Sequence, residues 1–180
     1  MSERPLTLTV GGLAGTGTST LCRLLSDRLA LPYAYAGGIF REEAARRGLS
    51  LAEFNALCQA DPAVDRSLDD RQVELLRAGG LVLEGRMAGW LARHHGLDAT
   101  RVWVVCDEDE RIRRITQRDG DDPEVQRART REREASELDR FRRYYGAEVT
   151  DLSLYDLVLD STDATPEALA DTVLAALSLP

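Results

Sequence analysis

The sequence predicts an α/β fold with a five-stranded parallel sheet. Short apolar, β-branched runs alternate with helical segments along the chain, which is the order of βα units. Several of these runs are near-continuously apolar, as strands covered on both faces of a parallel sheet are. The five predicted strands are Leu6–Val10, Tyr33–Ala36, Leu81–Leu83, Val102–Cys106 and Leu157–Leu159. A chain of 180 residues is long enough for one domain with a substantial core, residues 1–180.

Helix boundaries are marked by capping signals. The first helix is predicted over Thr18–Leu29, directly after a glycine-rich loop. Later helix starts are indicated by a capping box and by two N-caps followed by proline. These signals are Ser50-Leu51-Ala52-Glu53, Asp61-Pro62 and Thr165-Pro166-Glu167. Two segments exceed what a minimal sheet needs: residues 37–79, predicted to be entirely helical, and a charge-rich segment over residues 107–146.

The glycine-rich loop predicts a phosphate site. Residues Gly12 to Ser19 follow a strand and precede a helix, and they fit G-x-x-x-x-G-K-[ST] except that Thr18 stands at the lysine position. In such loops backbone N–H groups surround phosphate oxygens and the final hydroxyl serves Mg²⁺. A strand-to-helix turn that binds nothing is the alternative, because the spacing of the two glycines alone is a weak signal. The loop together with the strand and helix around it favours phosphate binding.

Arginine supplies all the positive charge of side chains, since the 23 basic residues include no lysine. Charge neutralisation at the loop must therefore come from N–H groups, Mg²⁺ and arginines, which points to phosphoryl transfer with arginine clamps. Arg129, Arg133, Glu137 and Arg140 share one helix face by spacing. We expect a bound phosphate to be the anion that these arginines otherwise lack. A structural ion-pair network is the alternative.

Three further residues are predicted at the edge where parallel strands end and ligands bind. Glu84 ends the third strand, where an acid can bind Mg²⁺ through water, although an acid at a helix start is the alternative. Arg41 follows the second strand and Arg86 the third. Tyr35 or Phe40 is the candidate for stacking on a base, whereas Trp90, Trp103 and Phe54 are predicted core residues.

Charge and composition exclude several classes of protein. The net charge of −8 argues against general binding of nucleic acid or anionic membranes. No apolar stretch approaches the length needed to span a bilayer, and residues 1–5 do not resemble a signal peptide. Three widely spaced cysteines fit reduced thiols. We expect a cytoplasmic protein that works as a monomer.

Several motifs resemble those of cytidylate kinases, in particular the short archaeal-type form, within the P-loop nucleoside monophosphate kinases. That form typically has threonine at the P-loop lysine position, as in Gly17-Thr18-Ser19-Thr20. The other matching segments are Ala36–Arg41, Asp61-Pro62 with Asp65-Arg66 and Asp70-Arg71-Gln72, Leu83–Trp90 against L-E-G-R-L-A-G-W, and Tyr155–Val158. Arg133–Arg140 resembles R-D-x-x-D-x-x-R of the longer bacterial enzymes. The family's pattern at Ala36–Arg41 is S-x-G-x-I-[FY]-R, and its serine is replaced here by Tyr35 or Ala36.

The resemblance implies a three-layer P-loop fold in which residues 37–79 are the NMP-binding insertion and 107–146 the lid. The implied substrates are ATP and CMP or dCMP, with Mg²⁺ as cofactor. ATP phosphates would lie on Gly12, Leu13, Ala14, Gly15, Thr16, Gly17, Thr18, Ser19 and Thr20. Mg²⁺ would lie on Ser19 and, through water, Glu84. CMP would contact Arg41, Arg86, Glu137 and Arg140. Arg41 and Arg140, together with Arg133, would hold its phosphate, and Arg86 would read the cytosine edge.

The catalytic arginines would come from the lid. The candidates are Arg114, Arg118, Arg129 and Arg133, with Arg111 as a further one. We expect this lid to be mobile and its arginine face to gain anionic partners only from a ligand. Two alternatives stay open: another P-loop kinase of the adenylate, uridylate or shikimate type, and a nucleotide-binding switch without turnover.

Overall fold

A computed structural model describes residues 5–177 of the protein. Strands and helices alternate as predicted. Their order is β1 (Leu8–Gly12), α1 (Thr18–Leu29), β2 (Tyr33–Tyr35), α2 (Ala36–Arg46), α3 (Leu51–Ala60), α4 (Pro62–Ala78), β3 (Val82–Glu84), α5 (Ala88–His94), β4 (Thr100–Val105), α6 (Glu108–Asp119), α7 (Pro123–Tyr145), a 3-10 turn (Leu152–Leu154), β5 (Leu157–Asp160) and α8 (Pro166–Leu177).

The five strands form one parallel sheet in the order β2-β3-β1-β4-β5. Because all strands run the same way, their carboxyl ends meet at one edge. The loop after β1, Glu84 at the end of β3 and Tyr35 at the end of β2 share that edge. The predicted fold class is confirmed.

Two apolar layers cover the sheet. On one face, Leu8 and Val10 of β1 pack with Leu21 and Leu25 of α1 and with Val173 of α8, and each of these side chains is fully or almost fully buried. On the other face, the core joins buried side chains of β3, β4, α4, α5 and α7: Leu83, Trp103, Val73, Leu76, Leu91 and Phe141. This burial places the helices on both sides and leaves the carboxyl edge of the sheet to the loops.

The predicted first strand is displaced by two residues. It was predicted over Leu6–Val10, but Gly11 and Gly12 pair with Trp103 and Val104 of β4 and extend the strand. A Cβ on Gly11 would lie 2.7 Å from the Trp103 ring, so the glycine lets that ring cover the strand. The end of β2 also differs, since Ala36 already begins α2.

The insertion and the charged segment are helical as predicted. Three helices fill residues 37–79, and an α6–α7 hairpin occupies most of 107–146. Ser50 and Glu53 form the predicted capping box, and Asp61 caps α4 by accepting the N–H of Ala63 at 2.9 Å. None of the helices within residues 5–177 is long and apolar enough to cross a membrane.

Candidate active site

The loop between β1 and α1 has the geometry of an anion-binding loop. Gly15 and Gly17 have φ angles of +81° and +86°, which glycine adopts without steric cost. Thr16 closes the loop, because its N–H and its hydroxyl both donate to the Leu13 carbonyl, at 3.3 and 2.9 Å. Within the described chain no side chain caps α1, and its first turn holds no acid. Its N-terminal N–H groups are therefore available to a phosphate.

Three hydroxyl groups converge on the carboxylate of Glu84. Thr18 and Ser19, the first residues of α1, donate to Oε1 at 2.7 and 2.8 Å, and Tyr33 donates to Oε2. Burial, together with the hydrogen bond to Glu84, raises the pKa of Tyr33 well above its usual range, so the phenol remains a donor. Thr18, at the position where related loops have lysine, thus contacts the acid at the end of β3.

Ser19 and Glu84 offer the hard oxygen donors that Mg²⁺ prefers. In the part of the chain that the structure describes, no group of three or more His, Cys, Asp or Glu residues could hold a metal by itself. An ion on these two side chains would need water and phosphate oxygens to complete its octahedral shell, as ions that accompany nucleotides usually do. The donor set therefore fits Mg²⁺ held together with a phosphate.

A buried ion pair fastens the loop from the side of the α6–α7 hairpin. The side chains of Arg111 and Glu134 are 7% and 10% exposed and lie 2.7 Å apart. Arg111 also donates to the carbonyl of Ala14 at 2.8 Å, and Glu134 accepts the N–H of Ala14 at 3.0 Å. The hairpin thus holds both backbone groups of one loop residue. Arg111, a candidate for reaching the transferred phosphoryl, is engaged in anchoring the loop in this structure.

Arg41 lies on the second turn of α2, beside the end of β2. Its Nη1 donates to the Tyr35 hydroxyl at 2.6 Å, and its guanidinium carbon lies 5.6 Å from the centre of the Tyr35 ring. Tyr35 stacks on Tyr33 with ring centres 5.5 Å apart and an interplanar angle of 16°. The two tyrosines therefore connect Arg41 with Glu84. Phe40, the other candidate for stacking on a base, packs on the buried ring of Phe54.

Three predicted site residues meet between β3 and α7. Glu137 accepts from Arg86 through Oε2 and from Arg133 through Oε1, the latter at 3.0 Å. The Arg86 and Glu137 side chains are 14% and 24% exposed, whereas that of Arg133 is 73% exposed. One carboxylate between two guanidiniums leaves a positive charge in excess. This excess suits an anionic group of a ligand.

The remaining predicted arginines lie in three places. Arg114 is beside the loop, since its Nη2 donates to the Ser161 carbonyl at 2.6 Å while the Ser161 hydroxyl donates to the Thr16 carbonyl at 2.8 Å. Arg118 and Arg129 lie near the turn of the hairpin, where they pair with Asp119 and Asp121. The guanidinium of Arg140 lies 5.5 Å from the centre of the Phe141 ring.

The expectation that the arginine face of α7 gains anions only from a ligand was wrong. Arg129 donates to Asp121 at 2.6 Å, and Arg133 to Glu137. Asp121 has a φ angle of +72°, and this turn conformation brings its carboxylate back to Arg129. Any ligand role of Arg129 requires that this ion pair first open.

Sequence reasoning missed the contacts of Tyr33 and Glu134. Tyr33 was predicted only as part of a strand. Glu134 was included only as a position of the Arg133–Arg140 motif, with no predicted contact. Alternation along β2 does place Tyr33 and Tyr35 on one face. The contact of Tyr33 with Glu84, however, depends on β2 lying beside β3 in the sheet. That neighbourhood is known only from the order of the strands in the structure.

Comparison with known proteins gives a consistent family match. The model of the cytidylate kinase-like family matches residues 7–163. The cytidylate kinase of Methanopyrus kandleri is 41% identical over 162 residues, which cover 86% of this chain and 84% of that protein. The cytidylate kinase of Pyrococcus abyssi is 39% identical over 177 residues, covering 98% and 96%.

Solved structures with the same fold are more distant in sequence. An uncharacterised protein from Eubacterium ventriosum has a TM-score of 0.74 at 15% identity, covering 97% of this chain and 98% of its own. The shikimate kinase of Bacteroides thetaiotaomicron has a TM-score of 0.65 at 13% identity, with 97% and 99% covered. At such identities the likeness shows the fold, and P-loop kinases share it.

Proposed function

This chain belongs to the cytidylate kinase-like family, and from that premise we propose that the enzyme transfers the γ-phosphoryl group of ATP to CMP or dCMP. The observation that carries the proposal is the assembly at one sheet edge. The loop after β1, Glu84 at the end of β3 and Arg41 after β2 lie on three neighbouring strands. A donor phosphate, a metal and an acceptor phosphate can therefore meet there.

The donor side consists of the loop Gly12 to Thr20. Its N–H groups and the start of α1 would hold the ATP phosphates. Ser19, and Glu84 through water, would hold Mg²⁺, which when bound neutralises charge on the β- and γ-phosphates. The loop carries no lysine, and Thr18, which stands at the lysine position, donates to Glu84 at 2.7 Å. We assign the cation beside the loop to Arg114, whose guanidinium donates to the Ser161 carbonyl at 2.6 Å and is paired with Glu110 at 2.7 Å.

The acceptor side consists of arginines and one acid. Arg41, Arg133 and Arg140 would hold the monophosphate, Arg86 would read the cytosine edge and Glu137 would contact the substrate. Arg86 and Arg133 already meet at Glu137. A phosphate oxygen of CMP attacks the γ-phosphorus, and the bond from that phosphorus to the β–γ bridging oxygen breaks, so ADP leaves. The attacking oxygen is ionised at neutral pH, so positioning and charge stabilisation suffice without a general base.

Residues 37–79 would serve as the NMP-binding insertion and 107–146 as the lid. Closure of the lid would exclude water and bring Arg118 and Arg129 to the transferred group, once their pairs with Asp119 and Asp121 open. The location in the cytoplasm and the monomeric state are further proposals that rest on the sequence.

A coupled assay of ADP release over all nucleoside and deoxynucleoside monophosphates, with shikimate as a further acceptor, tests this proposal. We expect turnover with CMP and dCMP to exceed turnover with AMP, UMP and shikimate. ATP binding without ADP release on any acceptor would instead support a nucleotide-binding switch. A preference for AMP or shikimate would contradict the substrate assignment.

A further inference from the structure

Two stacked tyrosines lie between the charged groups of the proposed donor and acceptor sites. Tyr33 and Tyr35 alternate along β2, so their rings share one face, 5.5 Å apart and nearly parallel. The Tyr33 hydroxyl donates to the carboxylate of Glu84. The Tyr35 hydroxyl accepts from the guanidinium of Arg41 at 2.6 Å. The two tyrosines of this short strand thus bind a carboxylate through one hydroxyl and a guanidinium through the other.

The Tyr35 ring packs against the backbone at the start of α2. Helix α2 begins at Ala36, and its next two residues are Gly37 and Gly38. A Cβ on Gly38 would lie 2.9 Å from the Tyr35 ring, and one on Gly37 would lie 3.4 Å from it. The ring therefore rests on the first helical turn where side chains are absent, with Tyr33 against it. Arg41, one turn further along, lies within cation–π distance of a ring that is fixed in place.

This arrangement restricts the conformations of two groups that would contact a bound nucleotide or its metal, the Arg41 guanidinium and the Glu84 carboxylate. Arg41 is exposed, and a long side chain loses rotamer freedom when it binds an anion. Fixing the guanidinium against Tyr35 before binding reduces that loss. Glu84 is fixed in the same way, because Tyr33 occupies Oε2 while Thr18 and Ser19 occupy Oε1.

We propose that Tyr33 and Tyr35 are positioning residues, Tyr33 for the metal-side acid Glu84 and Tyr35 for the acceptor-phosphate arginine Arg41. The inference deepens the proposed function and rests on it. It predicts that the two hydroxyls act on different ligands although their rings stack on each other. General damage to the fold would not separate the ligands in this way.

Two equilibrium measurements test the separation without turnover. The first is the Kd of CMP by titration calorimetry in the absence of ATP. The second is the Kd of Mn²⁺, which substitutes for Mg²⁺, in the presence of ADP. The electron paramagnetic resonance signal of free Mn²⁺ measures the unbound ion. Tyr35→Phe should raise the Kd of CMP roughly three- to tenfold, the worth of one hydrogen bond, and leave that of Mn²⁺ unchanged. Tyr33→Phe should raise the Kd of Mn²⁺ by a similar factor and leave that of CMP unchanged.

Tyr144→Phe is the matched control. Tyr144 is 40% exposed, close to the 38% of Tyr35, and it also has an arginine over its ring, the guanidinium of Arg66 at 5.7 Å. It lies in α7, and its phenylalanine variant should change neither constant. Gly38→Ala provides a second route, because its methyl group would displace the Tyr35 ring and weaken CMP binding alone.

The proposal is overturned if both phenylalanine variants keep both wild-type constants. It is also overturned if each variant weakens both ligands together in proportion to a fall in Tm, because that pattern indicates a structural role. Failure of the proposed function looks different: the wild-type protein would bind no CMP, or would bind it and form no CDP with ATP.

Discussion

Replacing Glu134 by glutamine removes one charge of the buried ion pair while keeping the shape of the side chain. The amide oxygen can still accept the N–H of Ala14, so the change isolates the charge that faces Arg111. Removing one partner of a buried pair costs about 3–5 kcal/mol, because the other charge is left without compensation. With the Ala14 bond retained, we expect the lower end, about 3 kcal/mol of unfolding free energy.

Urea unfolding at neutral pH measures this loss, and thermal unfolding provides a second measurement. For a domain of this size, about 3 kcal/mol corresponds to a fall in Tm of about 6–12 °C. The matched control is Arg131→Gln, which breaks a pair between the same two helices. The Arg131 and Glu108 side chains are 61% and 35% exposed, so solvent screens the pair and its loss should change stability far less.

A double variant separates charge from anchoring. Arg111→Met with Glu134→Leu leaves no buried charge, so it should recover most of the stability that Glu134→Gln loses. If Glu134→Gln is no more destabilising than Arg131→Gln, burial does not make the Arg111–Glu134 pair more important for stability than an exposed pair. If the double variant is as unstable as the single one, loss of the contacts to Ala14 costs the double variant as much as the unpaired charge costs the single variant.

Ser19, Arg86 and Glu43 should each affect a different property: turnover, base preference and stability in acid. Ser19→Ala should nearly abolish Mg²⁺-dependent turnover, whereas Thr18→Ala should leave ATP affinity within several-fold, and equal, near-complete losses in both variants would contradict the division of roles. Arg86→Met should lower the ratio of kcat/KM for CMP over AMP at least about tenfold, since a charged hydrogen bond is worth about 1.5–3 kcal/mol, and an unchanged ratio would exclude base reading. Hydrogen bonds, first from Arg46, lower the pKa of Glu43 from 4.5 to about 2, so the stability that Glu43 adds is present above pH 4.5 and lost as the pH falls toward 2. The difference in Tm between wild type and Glu43→Gln should therefore shrink over that interval, and a constant difference would argue against the ion pair.

Local signals in the sequence predicted most of the fold. The bounds of α1 were correct, because a glycine-rich loop precedes it and the apolar spacing continues to Leu29. The capping box at Ser50 and the N-cap at Asp61 were equally local and form as expected. The end of β1 was misplaced because pairing with β4 and contact with the Trp103 ring, both remote in sequence, carry the strand through Gly11 and Gly12.

The candidate site was predictable as a set of residues and less so as a set of contacts. Motif positions placed Ser19, Glu84 and Arg86 at the right edge of the sheet. The contact of Glu134 with Ala14 spans 120 positions, and only the packing of the hairpin on the loop creates it. The pairing of Arg129 depends on the unusual backbone of Asp121, which no sequence pattern indicated.

We expect this site to move the terminal phosphoryl group of ATP onto CMP. Incubation with Mg²⁺, CMP and ATP labelled at the γ-phosphorus measures this transfer, with the Ser19→Ala variant as control. Label should enter the β-phosphoryl group of CDP, one equivalent for each ADP formed, and the variant should transfer little label. Label released only as inorganic phosphate, or retained entirely in ATP, would contradict this expectation.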